Sequence, residues 1–254
     1  MDRFLNVYSL PSLALPDELA DGTVVVIDVL RASTTIVHAL HAGAEEVIPC
    51  LETADAMALA DAMPRDRIVL GGERGGLPID GFDLGNSPTD YTPLSVGGKT
   101  VVFTTTNGTR AMMQCRKARR VLIGAFCNAT AVLDKLLGAS HVHLVCSGCG
   151  GEVSRDDVLF AGLLCDRLQR RSGLAWQCNA QAVVARENWL SSFALPAAMG
   201  AEPLSPEHLA AELQKSLAGQ KLVSIGLEAD ILDAAQIDQF SFVPELDLHT
   251  FRIR

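Results

Sequence analysis

The stretch Thr23–Ala42, TVVVIDVLRASTTIVHALHA, decides how the fold is read. Val24–Ile27 are four consecutive apolar β-branched residues, the pattern of a strand buried on both faces. From Ala32 the period changes. Ile36, Val37 and Leu40, with Ala32 and Ala39, recur at three-to-four spacing, which predicts a helix over Ser33–Ala42 that Gly43 ends in a left-handed C-cap. Between strand and helix, Asp28, Arg31, Ser33, Thr34 and Thr35 crowd into one turn, the place where an α/β sheet holds its ligands. Hydroxyls and free amides at a helix start suit an anion, and Arg31 can fork onto two of its oxygens. Asp28 at the strand end can hold a cation or attack phosphorus. A purely structural reading competes: Ser33 or Thr34 caps the helix, and Asp28 pairs with Arg31.

Outward from this unit the pattern repeats. Glu46–Cys50, Ile68–Leu70, Thr100–Thr104, Val121–Ala125 and Val142–Cys146 read as strands. Thr53–Met63, a segment ending at Ala118, Asn128–Leu137 and a segment reaching about Arg170 read as the helices between them. This alternation predicts an α/β protein of mixed or mostly parallel sheets flanked by helices. Phe4–Tyr8 is expected as an edge strand. Beyond Gly173 the chain reads as mainly helical, over Ala180–Phe193, Pro206–Ala218 and Ala229–Phe240, with short strands at Leu222–Ile225 and Thr250–Ile253. No linker or low-complexity tract is visible, so residues 1–254 are expected as one unit, any two lobes being tightly packed or interleaved.

At 48% hydrophobic and 20% charged residues, the 254-residue chain is an ordinary globular composition rather than a disordered one. A formal net charge of −9 disfavours a nucleic-acid partner, and the one basic run, Arg116–Arg120, reads as a solvated helix end. Seven scattered cysteines show no disulfide framework, and no segment resembles a signal peptide or a membrane span. The expectation is a cytoplasmic protein with reduced thiols and no membrane partner.

Three turns carry a hydroxyl-rich or glycine-rich anion pattern: Asp28–Thr35, Thr104–Arg110 and Ser147–Asp157. One such turn is weak evidence, since Ser, Thr and Gly are good caps. Three, with Arg31, Arg74 and Arg110 nearby in sequence, favour a phosphate or polyanion site, while a Walker lysine and GxGxxG are both absent. Gly71–Gly98 is too long and too rich in charge and turn formers to be an incidental connection. The acids Asp28, Glu73, Asp80, Asp83, Glu152, Asp156 and Asp157 bring carboxylates to the same region, and magnesium prefers a few carboxylates completed by waters and substrate phosphate. Asp28, Glu73 and Asp157 are the preferred ligands, although Ser154-Arg-Asp-Asp157 also has the form of a capping box. A competing nucleophile is Cys149, since Cys149 to Arg155 spells the C-x5-R of thiol phosphatases, but Glu152, Asp156 and Asp157 would repel a thiolate. His38 and His41 lack an adjoining carboxylate pattern, and Trp176 and Trp189 read as packing.

With Asp28-Val-Leu-Arg-Ala-Ser-Thr-Thr35, Gly72-Glu-Arg-Gly-Gly76, Asp83-Leu-Gly-Asn-Ser-Pro88, Thr105-Thr-Asn-Gly-Thr109 and Ser154-Arg-Asp-Asp157 in this order, the chain resembles the 2-phosphosulfolactate phosphatase (ComB) family. The resemblance extends to Asp230, Asp238 and Val243-Pro244. It implies a magnesium-dependent phosphatase that hydrolyses phosphate esters of 2-hydroxy acids, producing sulfolactate in the route to coenzyme M. Its motifs, together with the chemistry of their side chains, nominate Asp28, Arg31 and Asp157 as catalytic, and Asp28, Glu73 and Asp157 as holding Mg2+. Ser33, Thr34, Arg74, Gly75, Asn86, Asn107, Gly108 and Thr109 are the corresponding substrate-binding candidates. The expected partner is a small anionic phosphoester; a homodimer is left open. The alternatives are a phosphatase for another 2-hydroxy acid phosphate and a non-catalytic binding protein for an anionic phosphorylated metabolite.

Overall fold

The β-branched runs pair with one another and build one sheet. The computed structural model describes residues 2–195 and 204–254. Among these the strands are β1 (Phe4–Tyr8), β2 (Thr23–Ile27), β3 (Glu46–Cys50), β4 (Ile68–Arg74), β5 (Leu77–Pro78) and β6 (Thr100–Thr104). They continue with β7 (Arg120–Gly124), β8 (His141–Cys146), β9 (Gln177–Cys178), β10 (Glu245–Asp247) and β11 (Arg252–Ile253). The sheet order is β5-β4-β6-β3-β11-β10-β7-β2-β8-β1-β9. Strands β4, β6 and β3 form one parallel block, and β7, β2, β8, β1 and β9 another. The antiparallel hairpin β10–β11 joins them, pairing Leu246 with Val121 on one side and Ile253 with Val47 on the other.

Helices cover the sheet: α1 (Ala32–His41), α2 (Thr53–Asp61), α3 (Pro93–Val96), α4 (Gly108–Gln114), α5 (Ala129–Leu136), α6 (Arg155–Ser172) and α7 (Ala180–Trp189). The C-terminal helices are α8 (Pro206–Leu213), α9 (Leu217–Ser224) and α10 (Glu228–Ala234). Val24–Ile27 are fully buried, as a strand covered on both faces requires, each contributing about 1.5–3 kcal/mol. One core combines Val24 and Val26 of β2 with Val101 and Phe103 of β6, Ile36 of α1 and Met112 of α4, so both blocks share it. α1 ends in a Schellman motif, with Gly43 N–H donating to Leu40 O and Ala44 N–H to Ala39 O, both at 3.1 Å. None of the described helices is long and apolar enough to cross a membrane.

Four sequence expectations are corrected. Strand β1 is not an edge, because β8 and β9 pair with its two sides. The helix expected over Pro206–Ala218 breaks after Leu213, since Ser216 caps a new helix by accepting Gly219 N–H at 2.9 Å. That new helix, α9, occupies Leu222–Ser224, where a strand was expected. The helix expected over Ala229–Phe240 stops at Ala234, and Asp238 takes a left-handed conformation (φ 60°) to accept Thr130 N–H and Oγ1–H.

Candidate active site

Parallel pairing aligns the strand ends, and the strand ends carry the chemistry. Ile27 pairs with Cys146, so Asp28 and Ser147 leave the sheet at the same level. Gly72 pairs with Thr104, so Glu73, the next residue of β4, lies beside the turn that carries Thr105 and Thr106. The three anion-type turns thereby converge on one pocket, which with its open mouth encloses about 410 Å³. Asp28 and Arg31 line it from the first turn, Thr105 and Asn107 from the second, and Cys149 from the third. Glu73, Gly76 and Asn86 enter from the long loop, and Ala218, Lys221 and Leu222 from α9.

Asp28 Oδ1 accepts the Ala32 amide at 3.1 Å, which anchors the carboxyl at the start of α1. A Cβ on Gly108 would lie 2.8 Å from the other oxygen, Oδ2, so glycine lets the start of α4 approach Asp28 closely. Burial pushes the Asp28 pKa up to about 7; the charges of Asp156 and Glu73 add to this, and the Ala32 amide and Ser147 hydroxyl oppose it. Asp157 is raised well above the carboxylate range by burial first and then by Asp156 and Asp28. Asp156 is raised by burial, against the Ser154 hydroxyl and other donors. Burial thus disfavours the charged form of all three carboxyls, and a cation beside Asp28 would favour it again.

Arg31 is 4% exposed and does not pair with Asp28. Its Nη1 donates to Asp230 Oδ2 at 2.6 Å and to Ser87 Oγ at 3.3 Å, and its Nη2 to the Gly76 carbonyl at 2.8 Å. Glu73 accepts two backbone amides, Gly76 at 2.6 Å and Thr106 at 2.7 Å, tying the long loop to the second turn. Asn86 is buried in the pocket wall, and its Oδ1 has no hydrogen-bond partner. Arg74 lies outside the pocket lining, its Nη2 donating to Leu51 O at 2.7 Å.

Other expected residues lie outside the pocket lining. The Ser33 hydroxyl accepts from Asp28 N–H and donates to Val26 O; the Thr34 hydroxyl donates to Val29 O. Both hydroxyls therefore brace the turn. Thr109 faces Thr105, with hydroxyl oxygens 3.4 Å apart, and Gly75 turns the β4–β5 hairpin with φ +64°. Asp157 does not cap α6 with Ser154. Its carboxylate accepts Val29 N–H at 2.9 Å, Gly148 N–H at 3.0 Å and Ser147 Oγ–H at 3.2 Å, lacing the first and third turns together. The C-x5-R spelling also dissolves: Arg155 donates to Asn188, Ser192 and Glu212, away from Cys149. Burial raises the Cys149 thiol, which disfavours a thiolate.

Sequence reasoning missed Lys221 as a pocket residue because Leu222–Ile225 was read as a strand. Ala218, Lys221 and Leu222, at helical spacing, were the available signal. Asp230 was visible only within the family resemblance, with no indication that it meets Arg31.

The sequence model of 2-phosphosulpholactate phosphatase matches residues 8–248, which include every residue of this pocket. The chain belongs to the 2-phosphosulpholactate phosphatase family. Its relatives include a protein named probable 2-phosphosulfolactate phosphatase from Parasynechococcus marenigrum, 39% identical over 91% of each chain. One of the same name from Synechococcus sp. strain RCC307 is 36% identical over 96% of each chain. A third, from Caldanaerobacter subterraneus subsp. tengcongensis, is 42% identical over 65% of this chain and 69% of its own. The reaction class of the 2-phosphosulpholactate phosphatase family is phosphoric monoester hydrolysis.

Proposed function

We propose that this protein is a magnesium-dependent cytoplasmic phosphatase that hydrolyses the phosphate monoester of a 2-hydroxy acid, with 2-phosphosulfolactate as the first substrate to test and 3-sulfolactate and phosphate as its products. The observation that carries the reading is the convergence of three strand-end turns on one pocket with Asp28, Arg31, Glu73 and Asn86 in its wall.

The pocket residues suit a magnesium ion. Among the described residues no three His, Cys, Asp or Glu side chains form a ready-made metal cage. Magnesium does not ask for one, since it is commonly held through one or two carboxylates with water and substrate phosphate. Asp28 and Glu73 would supply the carboxylates and the unpartnered Asn86 Oδ1 a neutral oxygen. Bound there, the ion would offset the charge of the phosphoryl oxygens and of the crowded acids. Asp157, with three donors already on its carboxylate, acts through the turns it laces.

In this reading Arg31 presents its guanidinium to the phosphoryl oxygens while Asp230, Ser87 and the Gly76 carbonyl fix its plane. Asp28 serves as nucleophile or as the carboxylate that orients the attacking water. Release of inorganic phosphate from 2-phosphosulfolactate and phospholactate, with magnesium and with EDTA, tests the assignment. Binding of these esters without any phosphate release would leave the binding-protein reading in its place.

A further inference from the structure

Arg31 and Lys221 meet at one residue, Gly76. Arg31 Nη2 holds the Gly76 carbonyl at 2.8 Å. On the other side, Lys221 Cε lies 3.3 Å and Ile225 Cδ1 3.3 Å from the position a Cβ on Gly76 would take. The Lys221 Nζ is 4.0 Å from the equivalent position on Gly75. The paired glycines therefore make room for the lysine stem, and Lys221, an exposed residue of α9, lines the pocket together with Asp28, Arg31 and Cys149.

The two cations differ in what they already hold. Arg31 is in a buried ion pair with Asp230, whereas Lys221 makes no ion pair among the described residues. Arg74, the other cation expected from sequence, is turned to Leu51 O. The charge of Lys221 is also felt at the Cys149 thiol, where it opposes burial and Asp156. A compact ammonium on a flexible stem suits an acid group whose distance from the phosphorus differs between substrates.

Resting on the phosphatase reading above, we propose that Lys221 is the specificity-determining cation of this pocket: it binds the carboxylate or sulfonate that the substrate carries beside its phosphoester. A 2-hydroxy acid phosphate holds its carboxylate on the carbon that bears the ester oxygen, so two anionic groups fall within reach of two cations separated by one glycine.

The test compares phospholactate with isopropyl phosphate, which replaces the carboxylate by a methyl group, on wild type, Lys221→Met and Lys221→Arg at saturating magnesium. In Lys221→Met the ratio of kcat/KM for phospholactate over isopropyl phosphate falls roughly ten- to a hundredfold, the range of one lost charge-assisted hydrogen bond. The loss appears in KM rather than kcat, and Lys221→Arg recovers part of it. An unchanged ratio, with both substrates losing equally or neither losing, overturns the proposal. Calorimetric titration with phospholactate separates this failure from that of the parent reading. If wild type binds the ester without hydrolysing it, the phosphatase reading falls, while a tenfold or greater rise in Kd for Lys221→Met still supports Lys221 as the acid-group site and an equal Kd removes it.

Discussion

Arg31 and Asp230 form a buried ion pair, Nη1 to Oδ2 at 2.6 Å, with side chains only 3% and 5% exposed and 199 positions between them in the chain. Ser87 Oγ donates to the same carboxylate oxygen at 2.9 Å. The guanidinium of the first turn is thus held by the last helix, and the C-terminal segment becomes part of the site. Breaking a buried pair from one side strands a charge, which costs about 3–5 kcal/mol. Asp230→Asn is expected to lower the unfolding free energy by that order and to raise KM for the phosphoester; a urea midpoint equal to wild type would show that the pair is dispensable.

Asp28→Asn separates chemistry from stability. Loss of a positioned catalytic group lowers kcat by roughly 10²–10⁴. Stability should not follow, because Asp28 is crowded by Asp156 and Glu73 rather than paired with a cation. In metal-free protein its pKa rises from 3.8 to about 7, so between these values the folded state binds the proton more tightly than the unfolded state does. That contribution is complete below pH 3.8 and is lost as pH climbs through 7. The variant should therefore show a flatter decline in stability than wild type between pH 4 and 7, measured by denaturant titration in EDTA. Near-normal turnover per folded molecule would remove Asp28 from the mechanism.

Cys149→Ser should keep kcat within about tenfold of wild type, since serine preserves the turn and only a thiolate role would make the exchange severe. The raised thiol and the engagement of Arg155 with Glu212 support this. A loss of three or more orders of magnitude, with an unchanged circular dichroism spectrum, would restore the thiol mechanism.

Metal removal should abolish turnover. Asp28, Glu73 and Asn86 offer oxygen ligands alone, which favour magnesium or manganese over zinc. Exhaustive EDTA treatment is expected to stop phosphate release, and added magnesium to restore it. Undiminished activity after chelation would count against the assignment.

Gly108→Ala sets two effects against each other. Alanine gains up to about 1 kcal/mol of helix propensity in a helix interior, and less at a first turn. Its methyl would sit 2.8 Å from both Ala32 Cβ and Asp28 Oδ2, and overpacking of this kind costs about 1–3 kcal/mol. The clash should win, with a lower thermal midpoint and weakened turnover together. A midpoint above wild type would mean that α4 can retreat from Asp28.

What the sequence determined by itself is the alternation of strand and helix and the three strand-end turns. Those signals are local: four β-branched residues at Val24–Ile27, or apolar residues at three-to-four spacing after Ala32, commit a segment whatever the rest of the chain does. The family resemblance was likewise carried by short ordered motifs. Tertiary structure decided the partners. Asp28 and Arg31 are three positions apart, so by sequence a mutual pair competes with a ligand site, yet Arg31 turns to Asp230 and Ser87. Ser154 to Asp157 spelled a helix cap, yet Asp157 reaches back to Val29 and Gly148 because parallel pairing of β2 and β8 puts both turns at one level. The C-terminal helices were the least legible part, since α9 and α10 are short and owe their bounds to Ser216 and to contacts across the fold. A carboxylate or an ammonium takes the best-placed buried partner the folded chain offers it, and sequence separation carries no information about which one that is.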